Sequence, residues 1–267
     1  MIRRKLKNLR ALVTGVSSGI GRAVADLLVG QGVHVLGMAR RGELLAEWQK
    51  TWENPQDPRN HPGQTAIFVG DITRPEDRTA ALRMVESRFH GLDLLINNAG
   101  TGSLGRFAQS DPRLLRTIFE VNFFAPVELC RAALPLLQNG QTPLIVNLGS
   151  ILGHRATPQN SEYCASKFAL RGWSESVRPE LNKIGIDLLL VSPGTTETDF
   201  YAHTLGDDHT PPWPSPPGVP AERVARAIVR AIETGRGEIV PNWRGRALVW
   251  ANRLCPWLVD RAMRKYG

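Results

Sequence analysis

The sequence predicts an α/β protein: a doubly wound, mostly parallel sheet of about seven strands, helices on both faces and a helical C-terminal tail. Three observations predict it. Seven short apolar runs recur along the 267 residues, helix-like stretches separate most of them, and two of the runs are apolar almost throughout. Strands alternating with helices imply parallel strands joined by right-handed crossovers. Near-continuous apolarity marks strands that are covered on both faces. A chain of this length can bury one substantial core, and nothing in it announces a second unit of that kind.

The first run, Ala11-Leu12-Val13, passes into Thr14-Gly15-Val16-Ser17-Ser18-Gly19-Ile20-Gly21 and then into Ala23 to Leu28, which reads as strand, glycine turn, helix. Glycines at such a junction let the backbone approach a pyrophosphate, whose charge meets unpaired N–H groups and the positive end of the helix dipole. The spacing is G-x-x-x-G-x-G, which departs from the G-x-G-x-x-G fingerprint, and no P-loop lysine comes after it. The second run, Val33 to Met38, leads into Ala39-Arg40-Arg41. An acidic side chain there would bond the adenosine ribose hydroxyls and repel a 2′-phosphate. None is present, and the planar fork of Arg40 suits that phosphate, so NADP(H) is the expected cofactor. The competing reading makes Arg40 and Arg41 solvated residues at a helix start.

The third run, Thr65 to Val69, precedes Asp71 and Ile72. The fourth, Leu92 to Ile96, precedes Asn97-Asn98-Ala99-Gly100. The fifth, Leu144 to Leu148, precedes Gly149-Ser150, and the sixth, Ile186 to Val191, precedes Pro193-Gly194. The seventh is Glu238 to Val240. Two connections are irregular: residues 53–64 carry Pro55, Pro58 and Pro62, and residues 195–220 carry Pro211, Pro212, Pro214, Pro216, Pro217 and Pro220. Neither can be helical throughout.

Between the fifth and sixth runs lies SEYCASKFAL, a helical segment with Tyr163 and Lys167 four residues apart and therefore on one face. A free tyrosine titrates near pH ~10 and is a poor acid or base at neutrality. A neighbouring ammonium stabilises the phenolate, lowers that value and makes the phenol useful for proton exchange.

With these motifs in order, the chain resembles the short-chain dehydrogenase/reductases, in their compact single-domain branch with a Rossmann-like fold. The resemblance rests on T-G-x-x-x-G-x-G at Thr14 to Gly21, N-N-A-G at Asn97 to Gly100, Ser150 thirteen residues before Tyr163, and Lys167. Asp71, Asn122 in Glu120-Val121-Asn122, and Pro193-Gly194 with Thr198 complete it. The resemblance implies a role for each. Tyr163 exchanges the proton with the substrate oxygen, Ser150 donates a hydrogen bond to it, and Lys167 holds the nicotinamide ribose and depresses the tyrosine pKa. Asn122 fixes a helix and a water that links Lys167 to solvent. The implied cofactor set is Gly15, Ser17, Ser18, Gly19, Ile20, Gly21, Arg40, Arg41, Asp71, Ile72, Asn98, Ala99, Gly100, Tyr163, Lys167, Pro193, Gly194, Thr196 and Thr198. Gly149 and Thr196 depart from the residues common at those places, and neither removes a reacting group.

The expected activity is hydride transfer between nicotinamide and a carbonyl or secondary alcohol. The alternative is a catalytically silent NADP-binding sensor or scaffold, against which the intact Ser150, Tyr163 and Lys167 argue. An epimerase or dehydratase on the same scaffold would need a longer chain with a substrate lobe. The segment after Pro193-Gly194 is the expected lid, about residues 195–220, and Phe200, Tyr201 and Trp213 in it point to a hydrophobic substrate. A packing role for these aromatics is the competing reading. The resemblance also implies a homodimer or homotetramer joined through the helices that carry Asn122 and Tyr163.

Net charge is +8, and it sits at the ends: residues 1–10 and 241–267 each carry +5, leaving −2 for the rest. A nearly neutral body with no binding motif does not read as a nucleic-acid surface. Residues 1–242 are expected to form the catalytic domain and residues 243–267 a basic amphipathic extension. In that extension Trp243, Ala247, Trp250, Ala251, Leu254 and Leu258 recur at helical spacing, and Pro256 kinks or divides the helix. Such a tail either lies on an anionic membrane surface or packs on the domain, beside the pocket or at a subunit interface; it is too short to span a bilayer. Met1 to Arg10 has no signal-like apolar core, and Cys130, Cys164 and Cys255 are odd in number and scattered, which fits reduced thiols in the cytoplasm. The six histidines show no metal-ligand spacing, so no metal is expected. His154 and Glu162 either border the substrate site or serve as ordinary loop and cap residues.

Overall fold

The computed structural model describes residues 2–53, 63–206 and 217–266. The main sheet has seven parallel strands in the order β3-β2-β1-β4-β5-β6-β9. In chain order, β1 (Arg10–Thr14), α1 (Gly19–Gly30), β2 (His34–Ala39), α2 (Gly42–Trp52), β3 (Thr65–Val69) and α3 (Pro75–Phe89) build the first half. The second half holds β4 (Leu94–Asn97), α4 (Pro112–Phe119), α5 (Ala125–Gln138), β5 (Leu144–Leu148), α6 (Ser161–Lys183) and β6 (Asp187–Val191). Two short strands, β7 (Thr196–Glu197) and β8 (Val219–Pro220), pair apart from the main sheet, before α7 (Ala221–Thr234) and β9 (Glu238–Ile239). The tail is α8 (Trp243–Leu254) and α9 (Pro256–Met263), parted at Cys255, because the ring of Pro256 cannot continue the α8 hydrogen-bond ladder.

The period of two along each strand sorts side chains between two cores. Ala11, Val13, Leu94, Ile96, Val146, Leu189 and Val191 face one side, where α1 and α7 bring Val24, Leu28, Ile228 and Ile232. Leu12, Leu36, Leu95, Ile145, Leu188 and Leu190 face the other, against Val85 and Phe89 of α3 and Leu129 and Leu137 of α5. Two acids interrupt this apolar pattern and are paired. Asp93, fully buried, accepts from the Arg10 side chain at 2.7 Å through both carboxylate oxygens, and Asp187 accepts from Arg4 at 2.7 Å. Arg4 and Arg10 therefore lock the lower edge of the sheet, so the basic N-terminal run is only partly a free charge patch.

The order of winding reverses between β1 and β4: from β1 the chain winds outward to β3, then crosses back to β4 and winds the other way. That topological switch opens a crevice above the carboxyl ends of the two strands, where ligands of open α/β sheets bind. The residues after β1, β2, β3, β4, β5 and β6 are, in turn, Gly15, Arg40, Gly70, Asn98, Gly149 and Ser192, so the sequence motifs meet there because parallel strands all end at one edge.

Candidate active site

A cleft of about 1300 Å³ runs along this edge. At one end it is lined by Gly15, Ser17, Ser18, Gly19 and Ile20, then by Arg40, Arg41, Asp71 and Ile72, and centrally by Asn98, Ala99 and Gly100. Ser150, Tyr163, Lys167, Pro193, Gly194, Thr196 and Thr198 complete the predicted lining. Two predicted residues, Gly21 and Asn122, stand behind the wall. A Cβ on Gly21 would run into Asn98 Nδ2 and the Gly15 carbonyl oxygen, so this glycine is required by packing of the loop on β4. Gly15 has φ +77, and a Cβ there would lie 2.7 Å from Asn98 Nδ2.

Asn98 is the clasp of this cradle. Its Nδ2 donates to the carbonyls of Thr14 at 3.0 Å and Gly15 at 3.3 Å, and its backbone N–H donates to Thr14 Oγ1 at 3.0 Å. The Thr14 hydroxyl also receives the Ala99 N–H at 3.0 Å. Residues 14–15 and 98–99 are thereby tied across the switch point, and the turn leading into α1 is held without filling the space above it. Sequence alone gave Thr14 no role of its own; its place ahead of the glycine turn is the signal that points to it.

Basic and acidic groups close the outer end. Arg41 donates through Nη2 to Ser17 Oγ at 2.9 Å and Ser18 Oγ at 2.8 Å, which sets its guanidinium over the turn. Asp71 accepts from the Thr73 N–H at 2.9 Å and hydroxyl at 2.8 Å. Burial works against its ionisation, yet those two bonds and the fields of Arg40 and Arg74 outweigh it and hold the carboxyl below its usual range. Glycine-held backbone at a helix N-terminus, hydroxyls and two guanidinium groups form a donor set that fits a phosphorylated dinucleotide.

The inner end is built on β5, α6 and the turn between α4 and α5. Ser150 comes after β5 in extended conformation, and its hydroxyl accepts the Leu152 N–H at 3.1 Å; Ser150 also acts to lower the Tyr163 pKa. Tyr163 and Lys167 project from the same face of α6, with Lys167 Nζ 5.7 Å from the tyrosine ring centre. Lys167 Nζ donates to the Leu148 carbonyl at 2.8 Å, and burial lowers its pKa to about 8. The expected depression of the tyrosine pKa is reversed in the folded chain. Burial raises Tyr163 well above its ordinary value, Ser150 opposes this only in part, and Tyr201 and Cys164 add to the rise. Lys167 does not offset that burial because its ammonium points to a backbone carbonyl. Tyr163 is thus kept as a neutral phenol, a proton donor.

Asn122 sits in a one-turn π-helix, Glu120–Phe124, and its side chain is buried. The extra backbone width of a π turn is common at functional sites. Asn122 Oδ1 accepts the Thr101 N–H at 3.0 Å, and Nδ2 donates to the Thr101 carbonyl at 2.8 Å and Ser166 Oγ at 3.0 Å. Ser166 Oγ in turn donates to the Tyr163 carbonyl at 2.8 Å. Asn122 therefore pins the strand-end loop to the tyrosine helix by direct bonds.

Neither His154 nor Glu162 lines the cleft. His154 Nε2 lies 3.0 Å from Ser192 Oγ, and its pKa is lowered to about 4, first by burial and then by Arg171 and Arg253. Glu162 accepts from Ser110 Oγ at 2.6 Å. Cys164 is buried, and burial raises its thiol pKa. No cluster of metal-ligating side chains occurs among the described residues. Phe200 packs on Tyr163 with ring centres 5.6 Å apart, and Gly19 lies close under Thr198. Trp213 and the prolines 211, 212, 214 and 216 of the expected lid lie outside the described residues, as do Pro55, Pro58 and Pro62. Sequence alone leaves open whether the tail borders the pocket. It does: Asn242, Trp243, Arg244, Leu248, Met263 and Tyr266 line the inner end.

The short chain dehydrogenase family model matches residues 9–208. The chain is 32% identical over 268 residues to "Uncharacterized oxidoreductase YxnA" of Bacillus subtilis, covering 98% of this chain and 73% of that one. It is 32% identical over 189 residues to a 3-ketodihydrosphingosine reductase of Bacteroides thetaiotaomicron, 71% of this chain and 64% of the relative. Among solved structures, a short chain dehydrogenase from Burkholderia cenocepacia in complex with NADP superposes with a TM-score of 0.79 at 24% identity, covering 97% of this chain and 99% of that one. One from Burkholderia phymatum in complex with NAD gives 0.82 at 21% identity, with 96% of each chain covered. Both share the fold. The chain is a member of the short-chain dehydrogenase family, whose oxidoreductases act on CH–OH and C=O groups.

Proposed function

We propose that this protein is an NADP(H)-dependent oxidoreductase that interconverts an apolar carbonyl compound and its secondary alcohol through Ser150, Tyr163 and Lys167. The observation that carries the reading is that Ser150, Tyr163 and Lys167 share the wall of one cleft whose far end holds the glycine cradle, Arg40 and Arg41. When bound, the nicotinamide supplies or accepts the hydride. The chain's own part is to manage charge on the substrate oxygen. In reduction, Ser150 donates a hydrogen bond to the carbonyl oxygen, on which negative charge grows. Tyr163, a neutral phenol, delivers its proton to that oxygen and bears the charge as phenolate. Lys167, whose lowered pKa leaves it partly titratable near neutrality, passes a proton toward the phenolate. Asn122 holds the loop and helix that fix this spacing.

Preference for NADP(H) is supported by two guanidinium groups and the missing acid after β2. Substrate apolarity is supported by Phe200 against Tyr163 and by Trp243, Leu248 and Met263 in the inner wall. Similarity to a 3-ketodihydrosphingosine reductase is in keeping with this. Subunits are proposed to associate through the face of α4 to α6 that exposes Leu115, Phe124 and Phe168.

Oxidation of NADPH against a panel of apolar ketones, with Tyr163→Phe as control, tests the reading. Turnover by the parent and its loss in the variant are expected. Full activity in the variant would overturn the mechanism, and tight NADPH binding with no turnover on any ketone would leave a sensor. Tighter binding of NADH than NADPH would overturn the cofactor choice, and Arg41→Ala should weaken NADPH roughly tenfold while sparing NADH.

A further inference from the structure

The tail is an amphipathic helix pair mounted with its apolar stripe outward. On α8 the inward side is Gly245, Leu248, Val249 and Asn252, of which only Gly245 and Val249 are buried. The outward side carries Trp243, 68% exposed, Trp250, 57%, and Leu254, 73%; α9 adds Trp257, 65% exposed, and Leu258, 47%. Three of the chain's seven tryptophans are thus presented to solvent by its last 25 residues. A helix that only packed on the domain would turn this stripe inward.

Cations frame the stripe. Arg244 lies 5.6 Å from the Trp243 ring and Arg253 5.9 Å from the Trp250 ring, so each charge travels with an exposed aromatic. Across residues 243–266 there are six cations and one acid, Asp260. That acid is engaged from within, accepting from Arg155 Nη1 at 2.6 Å. The outward surface is therefore apolar at its centre and positive at its margin.

The placement is fixed from behind. Arg155 also donates to Asn252 Oδ1 at 3.3 Å, and Asn252 Nδ2 donates to the His154 carbonyl at 3.1 Å. Gln159 Nε2 donates to the Tyr266 carbonyl at 3.4 Å. These bonds dock the pair on the loop between Ser150 and Tyr163; Leu248, Met263 and Tyr266 form part of the cleft wall, with Trp243 on the rim shared by cleft and stripe. The outward stripe and the inner end of the cleft are two sides of one helix pair.

We infer that α8 and α9 form a docking face for an anionic lipid bilayer, lying in the headgroup region with the inner end of the cleft beside it. Tryptophan prefers that region, where its ring is buried and its N–H stays wet, and arginine adds attraction to anionic headgroups. No helix among the described residues is long and apolar enough to cross a membrane, so the contact is monotopic. A second copy of the chain would complement the tryptophans but would meet six cations with the same six, whereas anionic lipid answers both features. The inference stands apart from the hydride-transfer reading, since it uses neither cofactor nor substrate.

The test is flotation of the full chain with vesicles of phosphatidylcholine alone and of phosphatidylcholine with 30% phosphatidylglycerol (about one lipid charge for every three molecules). The parent should float with the anionic vesicles, with a blue shift of tryptophan fluorescence, and should be released as salt rises. The variant Trp250→Ser/Leu254→Ser/Trp257→Ser changes only outward residues, and its partition should fall by roughly a hundredfold with its unfolding midpoint unchanged. Arg253→Gln/Arg261→Gln should lower partition roughly fivefold per arginine. Flotation of the triple variant at the parent level would overturn the inference. So would a parent that binds neither vesicle and sediments as a dimer which the triple variant dissociates.

Discussion

The two ends of the cleft are built on opposite plans. At the cofactor end the wall is backbone: glycines, the N-terminus of α1 and a clasp in which Asn98 and Thr14 satisfy one another's polar groups across the switch point. At the inner end the wall is a helix pair held to the body by a few polar contacts, with its apolar side to solvent. The first plan accepts almost no change, because an atom added at Gly15 or Gly21 meets the Asn98 clasp and the backbone behind it. The second leaves side chains free to vary, as a substrate-facing wall must if one scaffold is to serve many substrates. Between the two stands a reacting centre with both properties: rigid attachment through Asn122 and Ser166, and titratable groups held away from water.

Substitutions should reveal that contrast, and the largest effect belongs to the centre. Tyr163→Phe should lower kcat by about three orders of magnitude with cofactor affinity largely kept, read by steady-state NADPH oxidation and by NADPH titration. Lys167→Met should also abolish turnover, yet raise the stability of the cofactor-free protein by about 2 kcal/mol, since it removes a buried ammonium. A fall in its unfolding midpoint would show that the bond to Leu148 outweighs the desolvation. The linkage sign is testable in the parent. With a folded pKa of about 8 against an ordinary 10.5, the unfolded chain binds more protons between those values, so this lysine's contribution makes stability rise with pH across that window.

At the cofactor end, Gly21→Ala should cost roughly 1–3 kcal/mol by overpacking against Asn98 and weaken NADPH, while an alanine at Gly172, where a Cβ meets nothing within 4 Å, should be tolerated. Equal midpoints for the two would remove the claim that the clasp is rigid. His154 supports the inner end. Its pKa falls from 6.5 to about 4 on folding, so the unfolded chain takes up the extra proton and stability should be lost as pH drops through that window. His154→Gln should flatten this acid limb of the unfolding profile. The smallest effect is the exposed latch: Asp260→Asn should cost under about 1 kcal/mol and leave the domain's midpoint nearly unchanged.

All seven strands of the sheet were legible as short apolar runs between helix-like stretches, most clearly β5 and β6, where burial of every residue demands apolarity at nearly every position and that pattern is local. The glycine turn, Asn98 and the Ser150, Tyr163 and Lys167 set were legible for a related reason: parallel strands deliver whatever comes after them to one edge, so motif order predicts proximity. The state of the tyrosine was not. Spacing put Lys167 one helical turn away, but desolvation depends on what the rest of the chain packs over Tyr163, and here burial is the largest cause of its raised pKa. Nor could the sequence tell that Asn122 acts by bonding the Thr101 backbone and the Ser166 hydroxyl, since it reaches them from a π turn with no sequence signature of its own.

Amino-acid order alone thus determined the sheet and its crevice and singled out the side chains proposed to react, each of which follows from short-range pattern and the geometry of parallel strands. Tertiary structure alone decided which face the tail turns outward, that its inner face walls the cleft, and which protonation states the centre holds. Those depend on contacts between segments distant in sequence, such as Arg155 with Asp260, and on how far water is excluded from the space they enclose.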